Sequence, residues 1–487
     1  MNYELVIGDD LFAPLRAHLF QEDRDEHAAV VLAGEHESAR GTRFLARELH
    51  LVPPEHFPPG DHGYRQTAPR FVAELAMRAS AERLVYVALH SHPGALRQVA
   101  LSRDDLAAHR RLFPHLLNLT GGRPVVGIAM GGESADGEVW SRGADPQRLR
   151  SVRVIGHKIA QLTSESQTRN APDPRFDRQA RLFGAAGQEI LRALHVSVVG
   201  AGGGGSMLVQ QLAHLGVGQI TVIDYDVVKD INLSRIVGST TADIGTKKVD
   251  VLRRLVKQID ATIRVNAIDG DIADLPTAVN LLDSDFIFLA TDNITSRLVF
   301  NAIVHRYLIP GAQIGAKVDV NEKGRISQVY VAVRPVLPSR GCLYCNSLID
   351  PIRLQHEART DEEREAQNYL NEPEIIDPSV VSLNGLAAAH AVNVMLLAMT
   401  GLAESTLLDH RLFLVCSGDV FAVKDVKQPD CPFCSREPLS VYGRGDPASE
   451  LPCRHQIVVS PGGDQPMAHA RFDALSRLLR SIRERWA

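Results

Sequence analysis

The sequence predicts an α/β protein: a nucleotide-binding domain with a mainly parallel sheet, preceded by a smaller α+β domain. Three observations carry this reading. The β-branched run Val196-Ser197-Val198-Val199 stops at Gly200-Ala201-Gly202-Gly203-Gly204-Gly205-Ser206 and leads into a helical segment closed by Gly216, giving strand, glycine turn and helix. Such a turn lets the backbone approach a phosphate, and the helix N-terminus offers it free N–H groups and the positive end of a dipole. Upstream, the apolar run at residues 84–89 ends in His90-Ser91-His92. Downstream, Cys342/Cys345 and Cys431/Cys434 form two Cys-x-x-Cys pairs.

The totals bound the rest. A chain of 487 residues suits two or three domains. Its 45% hydrophobic and 23% charged residues are those of a globular protein. A net charge of −5 argues against nucleic-acid binding through a basic surface. No uninterrupted apolar stretch approaches membrane-spanning length, and the first residues lack the basic-then-apolar pattern of a signal peptide. A soluble cytoplasmic protein is therefore expected, with no membrane partner. The 6 cysteines are too few for a disulfide framework, and in a reducing compartment the paired ones suggest metal.

Taken in order, residues 1–160 form the first domain. Residues 28–34 and 44–53 read as strands, 70–84 as a helix and 84–89 as a strand. Ser102 is placed to cap a helix that opens with Asp104 and Asp105. Histidines two apart on a strand point the same way. With a carboxylate from the helix start they make a three-ligand site, and zinc with three protein ligands keeps a position open for water and lowers that water's pKa to about 7. A further carboxylate then serves as base. Glu26, just before the first of these strands, is the candidate, with Glu22, Asp23 and Asp25 close by.

The pattern His90-x-His92-Pro93 … Ser102-x-x-Asp105 with an upstream Glu resembles the JAB/JAMM (MPN) zinc isopeptidases, which cleave ubiquitin-like proteins after their C-terminal glycine. The resemblance implies an MPN/cytidine-deaminase-like α+β fold. It makes His90, His92 and Asp105 the zinc ligands, Ser102 a support for the tetrahedral intermediate, and Glu26 the base. The stretch between His92 and Ser102 is longer than the family spacing, which leaves Asp104 and Asp105 both open as ligand, although the Ser-x-x-Asp spacing favours Asp105.

Residues 161–174 have linker composition. The second domain, residues 175–435, opens with Arg175-Phe176-Asp177-Arg178-Gln179 and a short helix. After the glycine turn, residues 218–226 read as a strand with Asp224 at its end, where a ribose-binding carboxylate belongs, about 20 residues on. Then come Asn232, Arg235, Lys247 and Lys248, and after a strand at 285–290 the run Thr291-Asp292-Asn293-Ile294-Thr295-Ser296-Arg297. These cations and this carboxylate are placed to meet a triphosphate and its magnesium. Hydride transfer needs no such cluster, whereas adenylation of a carboxylate accumulates charge on the α-phosphate and on pyrophosphate.

This order resembles the ThiF/MoeB/HesA family, the adenylation domain of ubiquitin-activating-type enzymes. The resemblance implies a Rossmann-like domain using ATP and Mg2+. Gly200, Gly202, Gly203 and Gly205 would form the phosphate turn and Asp224 would bind the ribose hydroxyls. Asn232, Arg235 and Lys248 would contact the phosphates, Asp292 would bind magnesium, and Arg178 would reach across a homodimer into the partner's ATP site.

The four paired cysteines predict a closed, structural zinc site. Residues 346–378 are polar and irregular. The segment from Pro378 to Asn393 starts a helix rich in small residues, expected either at the dimer face or in the core. Enzymes of this type that form a thioester carry a cysteine between the two pairs, and none is present at 346–378. Cys416 is expected in a buried strand. Cys453 lies in a C-terminal extension, residues 436–487, where Arg454 and His455 would lower its pKa. The last helix, from residue 468 to about 486, reads as amphipathic and basic.

The expected function is a fusion of two enzymes. One adenylates the terminal glycine of a ubiquitin-like or sulfur-carrier protein of β-grasp type, with a conjugating enzyme as a further partner. The other cleaves such a protein. Two alternatives stand beside it: adenylation of a small molecule, peptide or tRNA base with the N-terminal domain as specificity module, and a non-catalytic scaffold that binds a ubiquitin-like protein.

Overall fold

The computed structural model describes residues 2–23, 25–57, 67–164, 173–320, 325–357 and 379–454. Two compact units divide the chain. One comprises residues 1–169 with 305–308 and 435–447, and the other 170–304, 309–434 and 448–487.

The first unit runs β1 (Tyr3–Gly8), α1 (Asp9–Leu19), β2 (Ala28–Ser38), β3 (Gly41–Leu51), α2 (Pro69–Ala81), β4 (Val85–Ser91), α3 (Arg103–Leu119), β5 (Val125–Met130), β6 (Ala135–Trp140), β7 (Gln147–Ile155) and β8 (Ala160–Leu162). The strand order is β1-β3-β2-β4-β5-β6-β7-β8, and β1 also pairs with β7, so the sheet closes on itself. Alternate residues of β2 and β4 feed two cores. Val31, Val87 and Leu89 pack with Leu11 and Leu15 of α1, whereas Val30, Leu32 and Tyr86 pack with α2 and α3 through Leu75, Phe113 and Leu116. With both faces covered, these strands read as unbroken apolar runs. β1, whose apolar run is only Leu5-Val6-Ile7, was not read from the sequence.

Of the segment 435–447 in this unit, Ser435 was expected at the end of the second domain and residues 436–447 in a C-terminal extension. They are held without a ladder: the fully buried Arg47 of β3 donates to the carbonyls of Glu437, Ser440 and Tyr442. Burial pushes the Arg47 pKa down to about 10. A guanidinium serving backbone carbonyls leaves no hydrophobic period to read.

The second unit runs α4 (Asp177–Ala193), β9 (His195–Val199), α5 (Gly203–Leu215), β10 (Gln219–Ile223), α6 (Lys248–Ile259), β11 (Arg264–Ile268), α7 (Leu275–Ala278), β12 (Phe286–Leu289), α8 (Ile294–Tyr307), β13 (Gly311–Val320), β14 (Ile326–Val336), α9 (Pro351–Glu357), α10 (Val381–Met399), β15 (His410–Leu414) and β16 (Asp419–Val423), with the end of α8 in the first unit. The sheet order is β11-β10-β9-β12-β13-β14-β15-β16. From β11 to β13 all pairs are parallel, and from β13 to β16 all are antiparallel. The expected mainly parallel sheet thus carries an antiparallel half, in which β13–β14 and β15–β16 are hairpins and β14 and β15 are joined by the long segment with α9 and α10. The chain order reverses between β9 and β12, and in such sheets ligands bind outside the carboxyl ends of the strands at that point. α4 is longer than the short helix expected there, with a break at Gly184 (φ 77°).

Among the described residues only α10 is long and apolar enough to cross a membrane. It packs against α5, β13 and β14, as a core helix does. Cys416, expected in a buried strand, is exposed in the turn after β15, because the strand ends at Leu414. Most of the linker, much of the irregular 346–378 segment, His455 and the last helix lie outside the described residues.

Candidate functional site

In the first unit, β4 ends at His90-Ser91-His92. Ser102 caps α3 in a reciprocal box: the Asp105 N–H donates to Ser102 Oγ at 3.1 Å, and the Ser102 N–H donates to Asp105 Oδ2 at 2.7 Å. This turns the Asp105 side chain inward while Asp104 stays exposed. His90 Nε2 and His92 Nε2 lie 3.1 Å apart, and each is 3.2 Å from an Asp105 oxygen. Three ligands at zinc distances on a tetrahedron would be spaced about 3.3 Å apart. The cluster therefore fits a tetrahedral ion with one open position. Burial pushes the Asp105 carboxyl up, but hydrogen bonds to His90 and His92 outweigh it and hold it well below the usual carboxylate range. The hydrogen bond to Asp105 raises the His92 pKa against burial, and the Glu26 charge adds to the rise. Ala28 pairs with His90 across β2 and β4, which brings Glu26 to the cluster. Asp23 is instead engaged by His27 at 3.0 Å.

The second unit holds a cavity of about 1000 Å³ outside the carboxyl ends of β9, β10 and β12. Gly200, Gly202, Gly203, Asp224, Asn232, Arg235, Lys248 and Asp292 all line it. Gly200 has φ 97°, and a Cβ there would meet the Ala290 carbonyl at 2.7 Å. No side chain caps the N-terminus of α5. Asp224 Oδ2 accepts from the Ala201 N–H at 2.7 Å, which ties the acidic end of β10 to the glycine turn. Burial raises the Asp224 pKa, opposed by Lys248. Lys248 Nζ is 2.6 Å from Asp226 and 3.9 Å from Asp224. Asn232 Oδ1 accepts from the Lys229 N–H, and Arg235 Nη1 donates to the Ile231 carbonyl. The exposed Asp292 has no hydrogen-bond partner among the described residues.

Gly205 and Arg178 do not line this cavity, and for Arg178 the expected place was a partner's site. A Cβ on Gly205 would sit 1.7 Å from the Gly200 carbonyl, so a glycine there lets α5 approach the turn after β9. Arg178 is exposed on α4.

Cys342, Cys345, Cys431 and Cys434 are buried, with sulfurs 3.5–3.6 Å apart along three edges of the cluster. Four thiolates around zinc would be spaced about 3.8 Å apart. Backbone N–H groups of Gln428 and Phe433 point at Cys345 and Cys431. The donor set fits a closed, four-thiolate ion.

Residues 176–432 match the ThiF family. The chain belongs to the ThiF family. It is 34% identical over 130 residues to the molybdopterin-synthase adenylyltransferase of Escherichia coli K12, covering 26% of this chain and 52% of that protein. It is 30% identical over 137 residues to the tRNA threonylcarbamoyladenosine dehydratase of the same organism, covering 28% and 51%. It is 33% identical over 127 residues to the SAMP-activating enzyme E1 of Haloferax volcanii, covering 26% and 47%. The chain thus spans about half the length of the curated relatives it matches. The His90, His92 and Asp105 cluster of the first unit lies outside the family match.

Within the ThiF-family domain, sequence reading assigned no site role to Gln313 or Arg334, which line the cavity together with Arg297 of the charged run. Arg334 interrupts the apolar run Val331-Ala332-Val333, which is the signal that marks it. Cys453 is not activated. Burial, then Asp274 and Asp271, push its pKa up to about 12, because the Arg454 guanidinium is taken by those two carboxylates at 2.9 and 2.6 Å.

Proposed function

We propose that the ThiF-family domain adenylates the C-terminal carboxylate of a ubiquitin-like or sulfur-carrier protein. The observation that supports this best is the convergence of the glycine turn, Asn232, Arg235, Lys248 and Asp292 on one cavity. In this reading Asp224 orients the ribose and the α5 N-terminus faces the phosphates. A carboxylate oxygen of the substrate attacks the α-phosphorus, and the bond to the pyrophosphate oxygen breaks. Acyl-adenylate and pyrophosphate result. Arg235 and Lys248 balance the charge that builds on the leaving group. Asp292 would hold magnesium, which supplies further charge neutralisation when bound. The names of the relatives support the substrate class; the dehydratase among them keeps adenylation of a tRNA base as the second reading. Arg178, exposed on α4, is free to serve a partner subunit in a homodimer. The cysteine cluster would hold a structural zinc.

The deciding experiment is ATP–pyrophosphate exchange with small β-grasp proteins ending in glycine. Exchange that needs the free terminal carboxylate and disappears in Asp292→Ala is the expected result. Exchange with a small acid or a tRNA instead would favour the second reading.

For the first unit the proposal is a zinc-dependent isopeptidase acting on the same class of protein. It rests on the spacing of His90, His92 and Asp105. Zinc bound there would supply Lewis acidity at the scissile carbonyl and lower the pKa of water. Glu26 takes the proton of that water and passes it to the leaving amine. Ser102 fixes Asp105 through the helix cap. Cleavage of a β-grasp protein extended beyond its glycine, lost in Glu26→Gln with zinc content intact, is expected. Undiminished cleavage in that variant would remove Glu26 from the reading.

A further inference from the structure

The cavity of the ThiF-family domain is longer than its phosphate-facing part. Cross-strand pairing places Ile223, Val199, Leu289, Gln313 and Arg334 in one row across the sheet, at the level where β9, β10 and β12 end. Asp224 follows the first residue of this row, and Arg334 is the last. Four strand intervals separate them, about 19 Å at ordinary sheet spacing. The row is acidic at one end, with Asp224 and Asp226, and basic at the other, where Arg297 and Arg353 also line the cavity.

The basic end is built. Gln313 Nε2 donates to the Ile314 carbonyl, and its Oε1 accepts from Arg334 Nη1 at 2.7 Å, so an anchored amide aims the guanidinium. Arg297 Nη1 reaches the Leu348 carbonyl at 3.4 Å, and its buried Nε has no hydrogen-bond partner among the described residues. Among the described residues Arg334 has no carboxylate acting on it, and Arg297 makes no ion pair, although the charges of Asp292 and Glu357 reach it. Burial, then Arg297, push the Arg334 pKa down to about 10. Two cations held close together, partly desolvated and facing a cavity, are costly unless an anion joins them. The triphosphate has its own cations in Arg235 and Lys248 at the other side of the glycine turn.

We propose that Arg334, aimed by Gln313 and backed by Arg297, forms a separate anion subsite that takes the free carboxylate of the acyl substrate. The inference rests on the adenylation reading and adds a specificity residue to it. A carboxylate held over β13 and β14 lies beyond β12, on the side away from the ribose carboxylate. The substrate end would therefore enter from the antiparallel half of the sheet. A guanidinium fork suits a carboxylate and not an amide or ester, so the subsite selects free chain ends.

The test uses the full chain and two labelled peptides ending in Gly-Gly, one with a free carboxylate and one as the C-terminal amide. Binding is followed by fluorescence anisotropy with and without a non-hydrolysable ATP analogue. Wild type should bind the acid about tenfold or more tighter than the amide, the value of a charged hydrogen bond. Arg334→Met should reduce this ratio to about twofold or less, and Arg334→Lys should restore part of it, with the analogue's affinity unchanged in both. Gln313→Leu, which leaves the charge but not its aim, should lower the ratio several-fold and serves if Arg334→Met does not fold. Equal binding of acid and amide by wild type, no binding of either, or retained discrimination in Arg334→Met would overturn the proposal. So would an equal loss of analogue affinity, which would assign Arg334 to the triphosphate. If the analogue does not bind wild type at all, the adenylation reading fails, and the acid–amide ratio without nucleotide still decides the subsite.

Discussion

The two candidate centres are built on opposite plans. The cluster of the first unit is local and self-satisfied. His90, His92 and Asp105 come from one strand end and the next helix start, and the two Nε2 atoms and both carboxylate oxygens already meet one another. The cavity of the second unit is assembled from β9 through β15, and its Asp292 carboxylate makes no hydrogen bond or ion pair among the described residues. A closed cluster ties function to stability, since removing one member strands the others. An open cavity separates them, since a group that touches only ligand contributes little to folding.

Breaking the open site should have the largest functional effect with the smallest structural one. Asp292→Ala is expected to lower ATP–pyrophosphate exchange by about 10²-fold or more, as loss of a preorganised charge does, while its denaturant midpoint stays at the wild-type value. A shifted midpoint would put Asp292 in the fold and erase the contrast.

Acid should separate the two units next. Burial, then Arg334, push His410 down to about 4. The unfolded chain takes up that proton near pH 6.5, so stability from this group is full above pH 6.5 and falls as pH drops toward 4, by about 3 kcal/mol. His410→Gln should flatten that limb in a urea titration against pH. The metal-free first unit should show another window. His92, raised by Asp105, contributes below about pH 6.5 and loses its contribution as pH rises through its folded pKa, and the depressed Asp105 contributes only above about pH 4.

Asp105→Ala should combine both kinds of loss. Without its carboxylate the Ser102 N–H and both histidines lose an acceptor, at a cost of about 1–3 kcal/mol in the metal-free protein. Zinc content by mass spectrometry should fall from two per chain to one, with the cysteine cluster still loaded. The smallest effect concerns thiols. Iodoacetamide at pH 8 should modify the exposed Cys416 quickly and Cys453 slowly, since a thiol with a pKa of about 12 is hardly ionised. Fast labelling of Cys453 would reopen it as an acyl acceptor.

Much of this was legible before any fold was known. The glycine turn, the acidic end of β10 and the charged run after β12 are consecutive in the chain, and each carries its chemistry in a short window. Arg334 was not legible as a site residue, because an arginine that ends an apolar run stands out without showing what it meets. Its place depends on Gln313 standing opposite it in the next strand. Gly205 shows a related ambiguity: a glycine in a phosphate turn and a glycine that lets a helix touch a strand look the same in sequence.

The sequence by itself determined the backbone chemistry of this protein: where strands stop, where glycine frees a turn, and which side chains can hold metal or phosphate. Those properties depend on neighbours within a few residues. Only the tertiary structure decided which of these groups meet. It turned Asp105 and not Asp104 toward the histidines, surrounded Cys453 with carboxylates, used Arg47 to hold residues 435–447, and set a basic end opposite Asp224 across the sheet. Burial and long-range pairing fix those outcomes, and both act between residues far apart in the chain.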